Sequence, residues 1–181
     1  MRTSQILEKL DLAEIDMALL ATPLDKPGVL EIPVYYEKFI AYVSPKDPLY
    51  INEVVSADEV DSDRLWILAE GHCLRNQVFN FCHAKKNVSS YEAGSIDTLV
   101  KVVDANGGFT IIPELHIDFL SQEQKQNLRQ LKEPVPVREI SLVVREDFVK
   151  EKFLNIVADM IKKLVPDTML DPRLKKFKIK L

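Results

Sequence analysis

The 181-residue sequence predicts an α/β fold with largely parallel sheets, arranged as two lobes. Three observations predict it. Apolar strand-like runs alternate with amphipathic helical runs. Glycine occurs at only five positions, four of them at helix starts or stops in the middle of the chain. Composition shifts near residues 35–44 and again at the prolines Pro134 and Pro136, where two crossing strands would join the lobes. Hydrophobic residues make up 46% and charged residues 29%, enough at this length to bury a core without disulfide staples. A net charge of -4 removes any general attraction to nucleic acid or anionic membrane. The N-terminus lacks the basic-then-apolar order of a signal peptide, and no apolar run nears the roughly 18 residues of a membrane span. A cytoplasmic location is therefore expected, where thiols are kept reduced.

Each element follows from local pattern. Ile6, Leu7 and Leu10 share a helical face behind the cap candidates Thr3 and Ser4, and "IDMALLAT" is a short buried-strand run. After Pro27-Gly28, "GVLEIPVYY" and "KFIAYVSP" read as a strand pair or one long bent strand. "RLWILAEG" reads as a strand stopped at Gly71, followed by a helix from about His72 to Lys86 and a short strand, "SSYEA". Ser95 caps a helix whose stripe is Ile96, Leu99, Val100 and Val103, and Gly107-Gly108 ends it before the strand "FTIIP". "SQEQKQNLRQL" is polar and helix-prone, and "VREISLVVRE" is the next strand. The last helix is expected to turn Phe148, Phe153, Ile156, Val157, Met160 and Ile161 inward and to stop at Pro166, leaving a basic, mobile tail.

The chemistry concentrates in "AEGHCLRNQVFNFCHAK", which carries both cysteines, Cys73 and Cys82, each beside a histidine. Cys73 falls in the first turn of its helix, where free N–H groups and the positive dipole end favour a thiolate, and His72 and Arg75 can add charge. Cys82, flanked by Val78, Phe79 and Phe81, reads as the buried thiol of the two. Nine residues of helix rise about 13 Å, whereas a disulfide needs Cα atoms within about 7 Å. The pair therefore stays reduced, or its oxidation unwinds the helix. Two packed, inert cysteines are the plain alternative. His72, Cys73, Cys82 and His83 also offer four metal donors, but their gap is wider than structural zinc loops use, so no metal or other cofactor is assigned. His116 reads as a loop or surface histidine, and "ADEVDSDR" as a solvated acidic run.

"GHCLRNQVFNFC" closely resembles the redox segment of the OxyR-type hydrogen-peroxide sensors among the LysR-type transcriptional regulators, whose usual form is GHCLRDQ with a second cysteine at this spacing. "RTSQILEKLDLAEIDMALLA", "YEAGSIDTLVKVVDANGGFTIIP" and "VREISLVVRE" resemble flanking blocks of the same family in the same order, so the likeness extends to about Leu164. The resemblance implies a periplasmic-binding-protein-like (type 2) regulatory domain. Residues 1–34 would begin lobe I, 35–137 form lobe II with the cysteines, 138–166 return to lobe I, and 167–181 form the tail. It further implies that Cys73 is the peroxidatic cysteine and Cys82 the resolving one, with Thr3, His72, Arg75 and Arg138 around the peroxide and thiolate. Ser95, Gly107 and Gly108 would border the cleft. The sequence departs from the family where Asn76 replaces an aspartate and Gly94 a threonine, and the loop before Tyr91 is shorter.

The implied partners are hydrogen peroxide, a second copy of the chain in a dimer or tetramer, a thiol reductant of the glutaredoxin or thioredoxin type, and RNA polymerase. DNA would be engaged through a winged helix-turn-helix that, with the first strand and helix of the regulatory domain, is expected outside this sequence. No membrane partner is expected. Two other function classes stand beside this one: an effector domain binding a small organic anion, with incidental cysteines, and a thiol peroxidase turning over with a reductant.

Overall fold

Residues 137–145 come back after a long excursion to lie between two strands formed near the start of the chain, and this return organises the fold. The computed structural model describes residues 2–56, 62–69, 74–75, 77–78 and 93–177. The chain divides into two units, Met1–Glu37 with Val137–Leu181, and Lys38–Pro136.

In the first unit, β1 (Met17–Thr22) pairs antiparallel with β6 (Val137–Arg145) over its whole length, from Met17 opposite Val144 to Thr22 opposite Glu139. Strand β2 (Val29–Val43) flanks β6 on the other side and is one continuous strand of 15 residues. Helix α1 (Thr3–Asp11) seats Leu10 against Leu20 and Val143, with Ile6 and Leu7 beside it. The cap candidates Thr3 and Ser4 are instead the first two helical residues, after an extended Arg2 whose N–H donates to Gln5 Oε1 at 3.0 Å. At the other end, Arg145 Nη1 donates to the Leu10 carbonyl at 3.2 Å, one of the acceptors a helix C-terminus leaves unmatched.

In the second unit, the later half of β2 pairs antiparallel with β4 (Phe109–Pro113) on one side and with β5 (Leu128–Leu131) on the other. A short β3 (Val54–Val55) extends the sheet parallel to β5. Helix α2 (Ile96–Asn106) is capped by Ser95, whose Oγ accepts from Thr98 N–H at 3.2 Å. It lays Val100 and Val103 on Ile40, Tyr42 and Ile112. Tyr42 pins this packing: its hydroxyl donates to Asp104 Oδ1 at 2.5 Å and accepts from Asn127 Nδ2 at 3.1 Å. Burial, and next the bond to Asp104, pushes the Tyr42 phenol well above its ordinary range.

Several expectations are corrected. The described ladders are mostly antiparallel rather than parallel, because the long β2 meets β4 and β5 head to tail and β1 meets a returning strand. The described part of "RLWILAEG", residues 64–69, does not form a strand: among the described residues, Leu65 and Leu68 make isolated parallel bridges to Phe109 and Ala93. Trp66 holds it instead, through its N–H to the Phe109 carbonyl at 2.9 Å and its Nε1 to the Gly107 carbonyl at 2.8 Å. The helix-prone "SQEQKQNLRQL" yields only the one-turn α3 (Gln122–Lys125) before β5 takes over, since an open edge of β2 outweighs helix propensity there. His116 is not a surface residue; its side chain is 12% exposed, and Nε2 lies 3.5 Å from Asp97 Oδ1. Beyond α4, Asp167–Leu170 and Pro172–Phe177 form two 3₁₀ turns, with Met169 buried.

Helix α4 (Glu151–Leu164) has the expected amphipathic period but not the expected burial. Phe153, Ile156 and Met160 are 51%, 56% and 60% exposed, and Ala158 is the buried residue. An apolar stripe records a face that needs cover, and no element among the described residues supplies it.

Gly108 sits at φ +77°, where an added Cβ would collide with the Arg64 carbonyl and lie 2.8 Å from Trp66 Nε1. Gly28, at φ +80°, has nothing within 4 Å of that position. Gly28→Ala is expected to cost only the left-handed backbone penalty of about 1–2 kcal/mol, and Gly108→Ala clearly more, in urea unfolding.

Candidate functional site

The cysteine segment contributes four described residues, Leu74, Arg75, Gln77 and Val78, all helical. Cys73, Cys82, His72 and Asn76 lie outside the described residues. Leu74 and Val78, four apart, share a face and are buried against Trp66, Leu68, Leu99 and Ile111 in a seam too tight to admit water. This anchors one side of the segment in the second unit's core. Arg75 is half-buried and donates from Nη1 to the Leu68 carbonyl at 3.2 Å, tying the segment to the bridge that Leu68 makes with Ala93. Gln77 is fully buried, and neither its Oε1 nor its Nε2 bonds another described residue.

The first unit places Thr3 at the opening of α1, half-buried. Arg138, second residue of β6, is paired with Glu37 near the end of that unit's first segment: Nε donates to Oε2 at 2.7 Å, and Nη2 lies 2.6 Å from the same oxygen. Glu37 is fully buried, while the Arg138 side chain keeps 17% exposure. One residue on, Glu139 starts a polar seam across three strands. Thr22 Oγ1 donates to Glu139 Oε1 at 3.0 Å and shares a bond with Ser141 Oγ at 2.7 Å. The Tyr36 phenol is pushed up to about 12, first by burial and then by its hydrogen bond to Glu139 and that group's charge.

Of the expected cleft residues, Ser95 and Gly107 stand at the two ends of α2, about 18 Å apart along its axis. Gly107 and Gly108 shape the turn that receives Trp66. Glu37, Glu139, Thr22, Ser141 and Gln77 were not singled out by sequence reasoning. The available signal was a carboxylate or hydroxyl interrupting an otherwise apolar strand run, as Glu139 and Ser141 do in "VREISLVV".

The chain is thus built of two α/β units, with β2 running from one into the other. The chain belongs to the LysR substrate binding domain family, which matches residues 1–164. It is 31% identical over 173 residues to the hydrogen peroxide-inducible genes activator of Haemophilus influenzae, covering 91% of this chain and 56% of that protein. It is also 30% identical over 167 residues to the HTH-type transcriptional regulator EstR of Acinetobacter baylyi, covering 90% of this chain and 55% of the relative. The chain thus spans little more than half the length of these relatives. Among solved structures, an OxyR mutant from Porphyromonas gingivalis superposes with a TM-score of 0.86 at 35% identity, covering 98% of this chain and 83% of that one. Among the described residues no helix is long and apolar enough to cross a membrane, and no cluster of three or more His, Cys, Asp or Glu side chains is arranged to hold a metal.

Two outcomes follow from the seam. Thr22→Val removes the hydroxyl shared by Glu139 and Ser141 and is expected to cost about 1–3 kcal/mol in denaturant unfolding. Because the Tyr36 pKa is raised on folding, the unfolded state loses its proton first as pH rises. Its contribution is therefore full below about pH 10 and is lost as pH climbs towards 12. Tyr36→Phe is expected to flatten that alkaline decline in a series of melts.

Proposed function

We propose that this chain is the redox-sensing domain of a LysR-type transcriptional regulator that responds to hydrogen peroxide. The observation that carries the reading is "GHCLRNQVFNFC", a motif matching the redox segment of peroxide sensors, in a chain similar over nine-tenths of its length to a peroxide-inducible activator. In this reading the Cys73 thiolate attacks one peroxide oxygen. The S–O bond forms as the O–O bond breaks, giving a sulfenic acid and hydroxide, which takes up a proton to become water. The Cys82 thiol, deprotonated, then attacks that sulfur, and hydroxide leaves to be protonated to a second water as the disulfide forms. Two thiols and one peroxide thus become a disulfide and two waters.

The other residues take supporting roles. Thr3 offers a hydroxyl to peroxide, while His72, Arg75 and Arg138 favour the thiolate by their positive charge or hydrogen bonds. Closing the disulfide remakes the segment around Cys73 and Cys82. That change is the signal, passed through a dimer or tetramer to DNA-binding domains and RNA polymerase. A thiol reductant of the glutaredoxin or thioredoxin type resets the pair. The protein works in the cytoplasm and is not a turnover enzyme.

Titrating the reduced protein with hydrogen peroxide tests this reading, with thiols counted and peptides mapped by mass spectrometry. A Cys73–Cys82 disulfide at near-stoichiometric peroxide is expected, abolished in Cys73→Ser and slowed at least several-fold in Thr3→Val. Slow, unselective oxidation of both thiols would sink it. The match to the LysR substrate binding domain family favours a second reading, an effector domain for a small organic anion with incidental cysteines. That reading requires ligand-induced thermal stabilisation in the Cys73→Ser, Cys82→Ser double variant.

A further inference from the structure

A hollow of about 380 Å³ opens in the second unit between α2, the 3₁₀ turn Glu114–Phe119 and α3. That volume falls in the range of small-molecule sites, about 300–1,000 Å³. Its walls are tied before any ligand arrives. Ser121 N–H donates to Gln124 Oε1 at 3.0 Å and Gln124 N–H to Ser121 Oγ at 3.2 Å, and the Gln124 amide then donates to Asp104 Oδ2 of α2 at 2.9 Å. The floor is apolar, for Val100 and Leu120 belong to the buried core beneath it. Phe119 lines the hollow while 78% exposed, its ring centroid 5.7 Å from that of His116. A ligand seated there would take part of that ring out of water.

Two opposite charges line this hollow without meeting. Asp97 and Lys101 lie about one turn apart on α2, acid before base, the order and spacing in which such pairs ordinarily attract. Here Asp97 Oδ1 lies 3.5 Å from His116 Nε2 instead, and Lys101 forms no ion pair with any described residue. We propose that the hollow binds a zwitterionic α-amino acid with an apolar side chain: its ammonium on Asp97, its carboxylate on Lys101, and its side chain over Val100 and Leu120 against Phe119. The two head groups of such a ligand are separated by one carbon, so both reach anchors whose Cβ atoms stand about 5–6 Å apart. A plain carboxylate would bring a like charge to Asp97 and a plain amine one to Lys101. Each charge of the site therefore selects against a singly charged ligand.

The test follows the amide resonances of the whole chain, kept reduced, by heteronuclear NMR. L-phenylalanine, hydrocinnamate (which lacks the ammonium) and phenethylamine (which lacks the carboxylate) are each titrated to tens of millimolar. L-phenylalanine is expected to give saturating shifts in α2, the Glu114–Phe119 turn and α3, and to bind at least about fivefold more tightly than either analogue. Lys101→Met is expected to weaken L-phenylalanine about fivefold and leave phenethylamine no weaker. Asp97→Asn is expected to weaken L-phenylalanine by a similar factor and leave hydrocinnamate no weaker. A merely structural role would weaken all three ligands together, and both side chains are exposed, Asp97 by 70%, so neither substitution removes a core contact. Absence of saturable binding by L-phenylalanine would overturn the proposal. So would an analogue that binds as tightly as L-phenylalanine, or an unchanged L-phenylalanine affinity in either variant.

Discussion

The insertion of β6 between β1 and β2 is the constraint on which the rest of this protein depends. It joins residues up to 127 positions apart in the chain, Met17 with Val144, and the side-chain bonds at its start span 101 to 119 positions. Closing so long a loop costs entropy that grows only slowly with length, so the contacts it permits recover the cost. Six residues of β1 find partners in β6, and the core of the first unit, Leu10, Leu20 and Val143, can form only once β6 is in place. The middle unit is thereby an insertion whose ends are fixed by another unit's sheet.

That constraint concentrates charge and hydroxyls at the start of β6. Arg138 and Glu139 are neighbours in sequence, yet consecutive strand residues point to opposite faces, so one meets Glu37 and the other meets Thr22 and Tyr36. A dipeptide of opposite charges is thus split into two separate networks, one gripping a guanidinium and one burying a carboxylate among hydroxyls. In the inserted unit, Trp66 Nε1 on the Gly107 carbonyl and Asn127 on the Tyr42 hydroxyl hold loops to the sheet, beside an ion pair of the same kind in which Arg64 Nη1 donates to both carboxylate oxygens of the buried Asp47 at 2.8 Å.

Local pattern was a reliable guide where a single period and a single cap decide the outcome. Ser95 caps α2, Gly107 ends it at a positive φ, and "FTIIP" follows as a wholly buried strand, each as its residue types require. The pattern misled where a distant partner decides. "QNLRQL" has polar residues suited to a helix, yet Leu128 and Leu131 complete a sheet edge that lies far away in sequence. "RLWILAEG" has the residues of a strand, yet its described residues, 64–69, make isolated bridges rather than a ladder. The apolar stripe of α4 was visible in the sequence, but which surface it meets was not.

What the sequence determined by itself was the inventory: the alternation of helices and strands, and a cysteine motif specific enough to name a family. These are local properties, set by side-chain periodicity, caps and the identity of adjacent residues. Only the tertiary structure decided that Glu37 grips Arg138 and that Thr22, Tyr36, Glu139 and Ser141 share one seam. The physical reason is that a buried charge or hydroxyl is tolerated only beside its partner, and here those partners come from strands that lie up to 119 residues apart.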